Sequence, residues 1–174
     1  MSGLGEGNSQ GRTVETVRSA TSAQTSLNKA KPVPAILWGG LIAGALDITY
    51  AMVEGIMSGR TTARTLKSVA SRLLGRAAFQ GGWEIAALGL ALHFFIALGA
   101  ATVYYAASRR MAVLVDRPWI SGLLFGALVY LIMNRIVLPL SAVPFKTTLQ
   151  IPGLLVHMFF VGLPLALSVR HYSK

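Results

Sequence analysis

The sequence predicts an all-α integral membrane protein: a bundle of four transmembrane helices, with a short amphipathic interfacial helix between the first and second. Three observations predict this class. Only 13% of the 174 residues are charged, whereas about a quarter of a soluble domain is charged. The apolar residues are gathered into four long blocks. The strands of a membrane β-barrel alternate between polar and apolar residues, and these blocks do not.

The membrane domain is predicted over residues 35–170, with spans at about 35–57, 83–107, 119–140 and 151–169. Each block is close to the ~20 residues that a helix needs to cross the hydrocarbon. Trp38, Trp83 and Trp119 each fall near the start of a block, as an interfacial aromatic belt predicts. Pro164 lies inside the last block and is expected to kink that helix.

Residues 1–34 are predicted to form a disordered polar tail, because they are rich in Ser, Thr and Gly. The tail lacks the apolar core of a secretory signal peptide. The chain contains no cysteine, which excludes disulfides and thiolate chemistry. Its net charge is +10. Most Lys and Arg residues lie in the tail and between the apolar blocks, so membrane topology and anionic lipid explain this charge better than nucleic acid does.

The segment at about 61–78 is predicted to be an amphipathic helix lying flat on the lipid surface. Leu66, Ala70 and Leu73 fall on one helical face, while Arg64 and Lys67 fall mostly on another. The basic face is expected to bind anionic lipid. The alternative is a polar loop with helical character. The distribution of Lys and Arg between the loops favours cytoplasmic termini.

Three ionisable residues lie deep in different spans: Asp47, His93 and His157. Asp47 and His93 each share a helical face with small residues, which usually face neighbouring helices. All three are therefore predicted to point into the bundle. An Asp near a His can hold or pass a proton. A ligand site and an interhelical hydrogen bond that only fixes packing are the alternatives.

A second polar set is predicted near the membrane face that carries the first and third loops. Its members are Glu54, Glu84, Asn134 and Arg135. Arg135 could pair there with either carboxylate, which would lower the cost of burying both charges. The alternative is that each side chain extends separately into the headgroups.

Cofactor and catalytic motifs are absent from the sequence. It has no nucleotide-binding glycine fingerprint, no GxSxG, no CxxCH and no HxxxH. We therefore expect neither an enzyme nor a cofactor. One lesser alternative stays open, since His93 and His157 differ in depth by about one helical turn. Facing histidines at such depths bind haem in some four-helix membrane cytochromes.

Four segments resemble a family of small bacterial inner-membrane proteins, the YagU-like proteins, a domain of unknown function. The segments are GGLIAGALDITYA, ALGLALHFFIALGAATVYYAASRR, GLLFGALVYLIMNRIVLPLSAVP and HMFFVGLPLAL. The features that carry the resemblance are Asp47, His93-Phe94, Asn134 to Pro139, and His157 with Gly162-Leu163-Pro164. The resemblance implies four helices in a bacterial inner membrane, and it implies no reaction or cofactor.

The functional expectation is a small membrane protein that relays protons or binds a small polar solute through Asp47, His93 and His157. It would act as a homo-oligomer or beside a membrane-complex partner. The alternative from a different class is a structural or assembly subunit, in which the same residues only lock helices together.

Overall fold

The computed structural model describes residues 14–16, 31–143 and 150–173. Over residues 31–143 and 150–173 the helices, in chain order, are α1 (Pro32–Met57), α2 (Thr62–Leu74), α3 (Trp83–Ser108), α4 (Val113–Asp116), α5 (Pro118–Leu140) and α6 (Ile151–Ser173). The described part of the chain contains no strand. Four of these helices, α1, α3, α5 and α6, are long and apolar enough to cross a membrane. The predicted all-α class with four apolar spans is therefore confirmed for the described residues.

The predicted tail falls mostly outside the described residues, which omit 1–13 and 17–30. Residues 14–16 form an exposed helical turn. The first span begins at Pro32 rather than at residue 35, because prolines are well accommodated in the first turn of a helix. The last span continues to Ser173 rather than ending at residue 169.

The short helix α2 lies between the first two spans and packs mainly against α3. Its predicted position flat on a lipid surface stays a prediction. Thr61 caps its N-terminus by accepting a hydrogen bond from the amide of Arg64. Gly75, with φ of 73°, ends it, and a 3-10 turn follows over Gly75–Gln80. A Cβ on Gly89 of α3 would collide with the carbonyl of Leu66. The two helix backbones are thus in direct contact.

Glycine also permits a close crossing between two spans, α5 and α6. A Cβ on Gly162 would collide with the carbonyl oxygen of Gly122 and the amide of Gly126. The Gly122-x-x-x-Gly126 spacing, a small-residue pattern that lets membrane helices pack closely, therefore brings two helix backbones together. In α1, a Cβ on Gly44 would meet side chains of α3, and a Cβ on Gly40 would meet both the side chain and the Cα of Leu98.

Each of the last two spans contains a stretch of wider π-helix just before a proline. The stretches cover Met133–Val137, ahead of Pro139, and His157–Gly162, ahead of Pro164. Proline cannot donate to the carbonyl four residues earlier, and its ring clashes with that carbonyl, so the turn widens. The predicted irregularity at Pro164 thus takes the form of a widened turn that begins at His157.

Helices α3 and α5 meet at the end that carries α4 and are separate elsewhere. At that end, the fully buried Tyr104 stacks edge-to-face on Phe125, with ring centroids 4.9 Å apart. The Tyr104 hydroxyl donates to the carbonyl of Leu114 over 3.0 Å. Over the rest of their described length the two helices are not packed together. The bundle is therefore closed near α4 and open between α3 and α5 toward α2.

Candidate functional site

A cavity of about 470 Å³ lies inside the bundle at its open end. All four spans and α2 contribute to its wall, which is mostly apolar. Its polar and charged lining residues are Asp47, Arg72, His93, Ser141 and His157. The volume is within the range of pockets that hold small molecules, and a mostly apolar wall with a few convergent polar groups is typical of such pockets.

His93 connects two spans at the cavity. Its Nε2 lies 2.9 Å from the carbonyl oxygen of Gly44 in α1. A carbonyl only accepts, so Nε2 carries the proton and, in the neutral ring, Nδ1 carries the lone pair. Gly44 allows this approach, since a Cβ there would press on the ring of Phe94. His93 is thus both an interhelical link and a lining group with a free lone pair.

His157 and Asp47 form the second polar contact. The Nδ1 of His157 lies 4.0 Å from Oδ1 of Asp47, and both side chains are about one-fifth exposed. This distance is too long for a hydrogen bond but suits an ion pair once the imidazole is protonated. In the neutral ring Nδ1 donates to the carbonyl of Gly153 over 2.9 Å, which leaves the Nε2 lone pair available.

The local backbone explains the position of the His157 ring. The ring lies at the first residue of the π-helical stretch, and it packs edge-to-face on Tyr130 with centroids 5.2 Å apart. Tyr130 in turn exchanges hydrogen bonds with the backbone of Gln150, at 3.0 and 2.8 Å. The start of α6 is therefore fixed to α5 where the histidine enters the cavity.

Arg72 of α2 is a lining residue that was not among the predicted site residues. The side-chain Nε of Arg72 donates to the carbonyl of Ser68 over 3.1 Å. The backbone carbonyl of Arg72 accepts from the amide of Ala142, just after α5. Burial lowers the pKa of its guanidinium by disfavouring the charged form. A sequence signal existed: Arg72 falls one turn after Ser68 and Val69, on the helical face that begins with the buried Thr65.

The second predicted set is not brought together. Glu54 forms a salt bridge with Arg60 and accepts from the hydroxyl of Ser58. Glu84 accepts from the amide of Gly82, at the start of its own helix. Glu54 and Glu84 each lie near a helix end, where a neighbour in sequence is within reach. They therefore bind these local partners and not the predicted Arg135.

The other two members of that set lie in the π-helical stretch of α5. The amide of Asn134 donates to the carbonyl of Tyr130 over 2.8 Å. Arg135 is exposed, and among the described residues no ion pair joins it to Glu54 or Glu84. The structure thus gives no ion-pair cluster at this face within the described residues.

The same geometry bears on metal and haem ligation. Residues 14–16, 31–143 and 150–173 contain no group of three or more His, Asp or Glu side chains arranged to hold a metal ion. His93 and His157 both line the cavity. Haem ligation through the Nε2 of His93 would require that nitrogen to leave Gly44.

Comparison of the chain with family models, with curated proteins and with solved structures gives no match.

Proposed function

We propose that this chain is a small multi-pass membrane protein whose interior pocket relays protons or binds a small polar solute through Asp47, His93 and His157. The observation that carries the proposal is the cavity of about 470 Å³, on which these three residues converge from three different spans. Ionisable side chains are costly inside a membrane and usually mark pathways or binding sites.

The proton-handling step would use Asp47 and His157. Protonation of the imidazole at Nε2 would place a cation 4.0 Å from the carboxylate of Asp47, and an Asp near a His can hold or pass a proton. Nδ1 stays bonded to Gly153 in both states, so the ring can gain and lose a proton at Nε2 without moving. His93 offers a second lone pair, at Nδ1, on the same cavity.

The membrane setting of the proposal is a bacterial inner membrane with cytoplasmic termini, as the resemblance to the YagU-like family implies. The basic side chains on and beside α2 support a contact with anionic lipid. Those that are exposed are Arg60, Arg64 and Arg76. In this setting α2 would lie near the headgroups while packed on α3, rather than alone on the surface.

The alternative function is structural, and one observation favours it: His93 already bonds Gly44 across two helices. In that case the polar groups lock the bundle together for assembly with a partner or a second copy. A bis-histidine haem protein is the lesser alternative. It predicts a Soret band in the purified protein, and a colourless preparation from cells supplied with haem precursor would contradict it.

The test is proton flux in proteoliposomes that contain a pH-sensitive dye, driven by a potassium diffusion potential. The proposal predicts that wild-type protein acidifies the lumen faster than protein-free vesicles do. Asp47→Asn should return the rate to that of empty vesicles. Asp116→Asn, an exposed carboxylate outside the cavity, is the matched control and should behave as wild type.

Equal flux from the wild type and Asp47→Asn would contradict the proton relay. A folded wild type without flux and without a bound solute would favour the structural alternative. Folding of each variant is checked by size-exclusion chromatography, so a lost rate is not mistaken for lost protein.

A further inference from the structure

The wall of the cavity is incomplete on one side, between α3 and α5. Ile96, Leu140 and Leu73 line the cavity and are exposed at 41%, 81% and 64%, as residues beside an open wall are. Ile96 lies in the middle of its span, about 20 Å along the helix from Trp83 at ~1.5 Å per residue. In a bilayer the opening would therefore face acyl chains rather than water.

The cavity is charged at its α2 end and apolar further into the bundle. A lipid monolayer is arranged in the same order, with charged head groups outside and acyl chains inside. The cation of the cavity, Arg72, is on α2, at the end where α1 finishes and α3 begins. Beyond His93, further from α2, the wall on α3 and α5 is apolar, with Ile96, Ala100 and Val129 among its residues. A molecule with a charged head and an apolar chain could therefore enter the cavity in the orientation that it has in the membrane.

The sign of the charge selects an acidic head group. A guanidinium is a permanent cation that binds carboxylate and phosphate oxygens through paired N–H groups. The carboxylate that shares the cavity, Asp47, lies beside His157, which offsets its charge when protonated. A cationic head group would instead have to approach Arg72.

We propose that the cleft between α3 and α5 binds an anionic amphiphile from the membrane, with its carboxylate or phosphate head on Arg72 and its apolar chain in the cavity. This rests on the proposed function in one respect, that the cavity takes a ligand. Beyond that function, the ligand is an anionic amphiphile, and it enters from the bilayer between α3 and α5.

The experiment is photolabelling of the full chain in phosphatidylcholine vesicles with a long-chain fatty acid that carries a mid-chain diazirine. The methyl ester of the same probe is the uncharged control. Charge-assisted hydrogen bonds are strong enough for about a tenfold preference. We therefore expect the acid to label the peptides that line the cavity on α3 and α5 about tenfold more than the ester does.

The matched variants are Arg72→Gln and Arg76→Gln. Arg76 is exposed and lies four residues further along the chain. Arg72→Gln should remove the preference for the acid and leave labelling by the ester unchanged, while Arg76→Gln should keep the preference. The comparison of acid with ester in the wild type needs no variant, so it remains decisive if Arg72→Gln does not fold.

Competition separates the sources of the acidic group. Unlabelled fatty acid and lysophosphatidic acid should each displace the probe, and inorganic phosphate should not. Displacement by phosphate alone would overturn the amphiphile in favour of a soluble anion. Equal labelling of the cavity by acid and ester would overturn the role of Arg72 but not the ligand pocket. Labelling confined to the outer helix faces would overturn the role of Arg72 and the ligand pocket alike.

Discussion

The crossing of α5 with α6 and the cleft between α3 and α5 involve the same helix, yet they differ in how closely the chains approach. At the crossing, Gly122, Gly126 and Gly162 bring backbone against backbone. At the cleft the helices separate around a cavity of about 470 Å³. The difference shows how this bundle forms its pocket. One face of α5 packs closely on α6, whereas the face toward α3 lines the cavity.

The largest expected effect comes from filling the crossing. Gly162→Leu should destabilise the protein by about 3 kcal/mol or more, since the new side chain meets the backbone of Gly122 and Gly126, which cannot move away cheaply. Gly99→Leu is the matched control, because a Cβ there meets nothing within 4 Å. Thermal unfolding in detergent measures both. Similar melting temperatures for the two variants would contradict the close crossing.

Two adjacent alanines of α3 provide a sharper comparison. Ala101 is fully buried in the core beside Ala43, Val161 and Leu165, so Ala101→Leu should cost about 2–3 kcal/mol through overpacking. Ala100 lines the cavity, so Ala100→Leu should cost less than about 1 kcal/mol. The same unfolding assay applies. If Ala100→Leu were the more damaging change, the space beside it would not exist.

A smaller loss of stability is expected at the closed end of the cleft, near α4. Tyr104→Phe removes the hydroxyl that donates to the carbonyl of Leu114 and leaves that partly buried acceptor without this donor, a loss of about 1 kcal/mol. The neighbouring Tyr105→Phe is the control, because its ring is only partly buried. Equal stability of the two variants would show that the hydroxyl does not hold α3 and α4 together.

The smallest effect is expected outside both regions, at the salt bridge of Glu54 and Arg60. Both side chains are nearly half exposed, so Glu54→Gln should change stability by at most about 0.5 kcal/mol. It should also leave proton flux unchanged, in contrast to Asp47→Asn seven residues earlier on the same helix. Loss of flux in Glu54→Gln would extend the pathway to the membrane face.

Much of the bundle could be predicted from the sequence because spans depend on long apolar blocks, which are visible in any window of sufficient length. The small residues beside Asp47 and His93 indicated which way those side chains point, and the structure places both at the cavity with His157. Depth along a straight helix is a simple function of position, so groups at similar depths could be matched between helices.

The missed features depend on geometry that periodicity does not encode. The segment that contains Arg72 was predicted as an amphipathic helix on a lipid surface, and Arg72 was not singled out. The contact of Gly89 with Leu66 packs that helix against α3, and Arg72 lines the cavity. The partner of Glu54 depends on the turn after Met57, where Gly59 has φ of 75°. Prolines indicated a kink, but not that the widened turn would begin at His157.

The most direct test of the central claim is an intramolecular cross-link between positions 47 and 157. The chain has no native cysteine, so Asp47→Cys with His157→Cys is a unique pair for a short bis-methanethiosulfonate reagent, and Glu54→Cys with Arg135→Cys is the control. We expect a cross-link within one chain for the first pair and none for the second. A well-folded first pair whose two cysteines react singly with the reagent but never with each other would contradict this expectation.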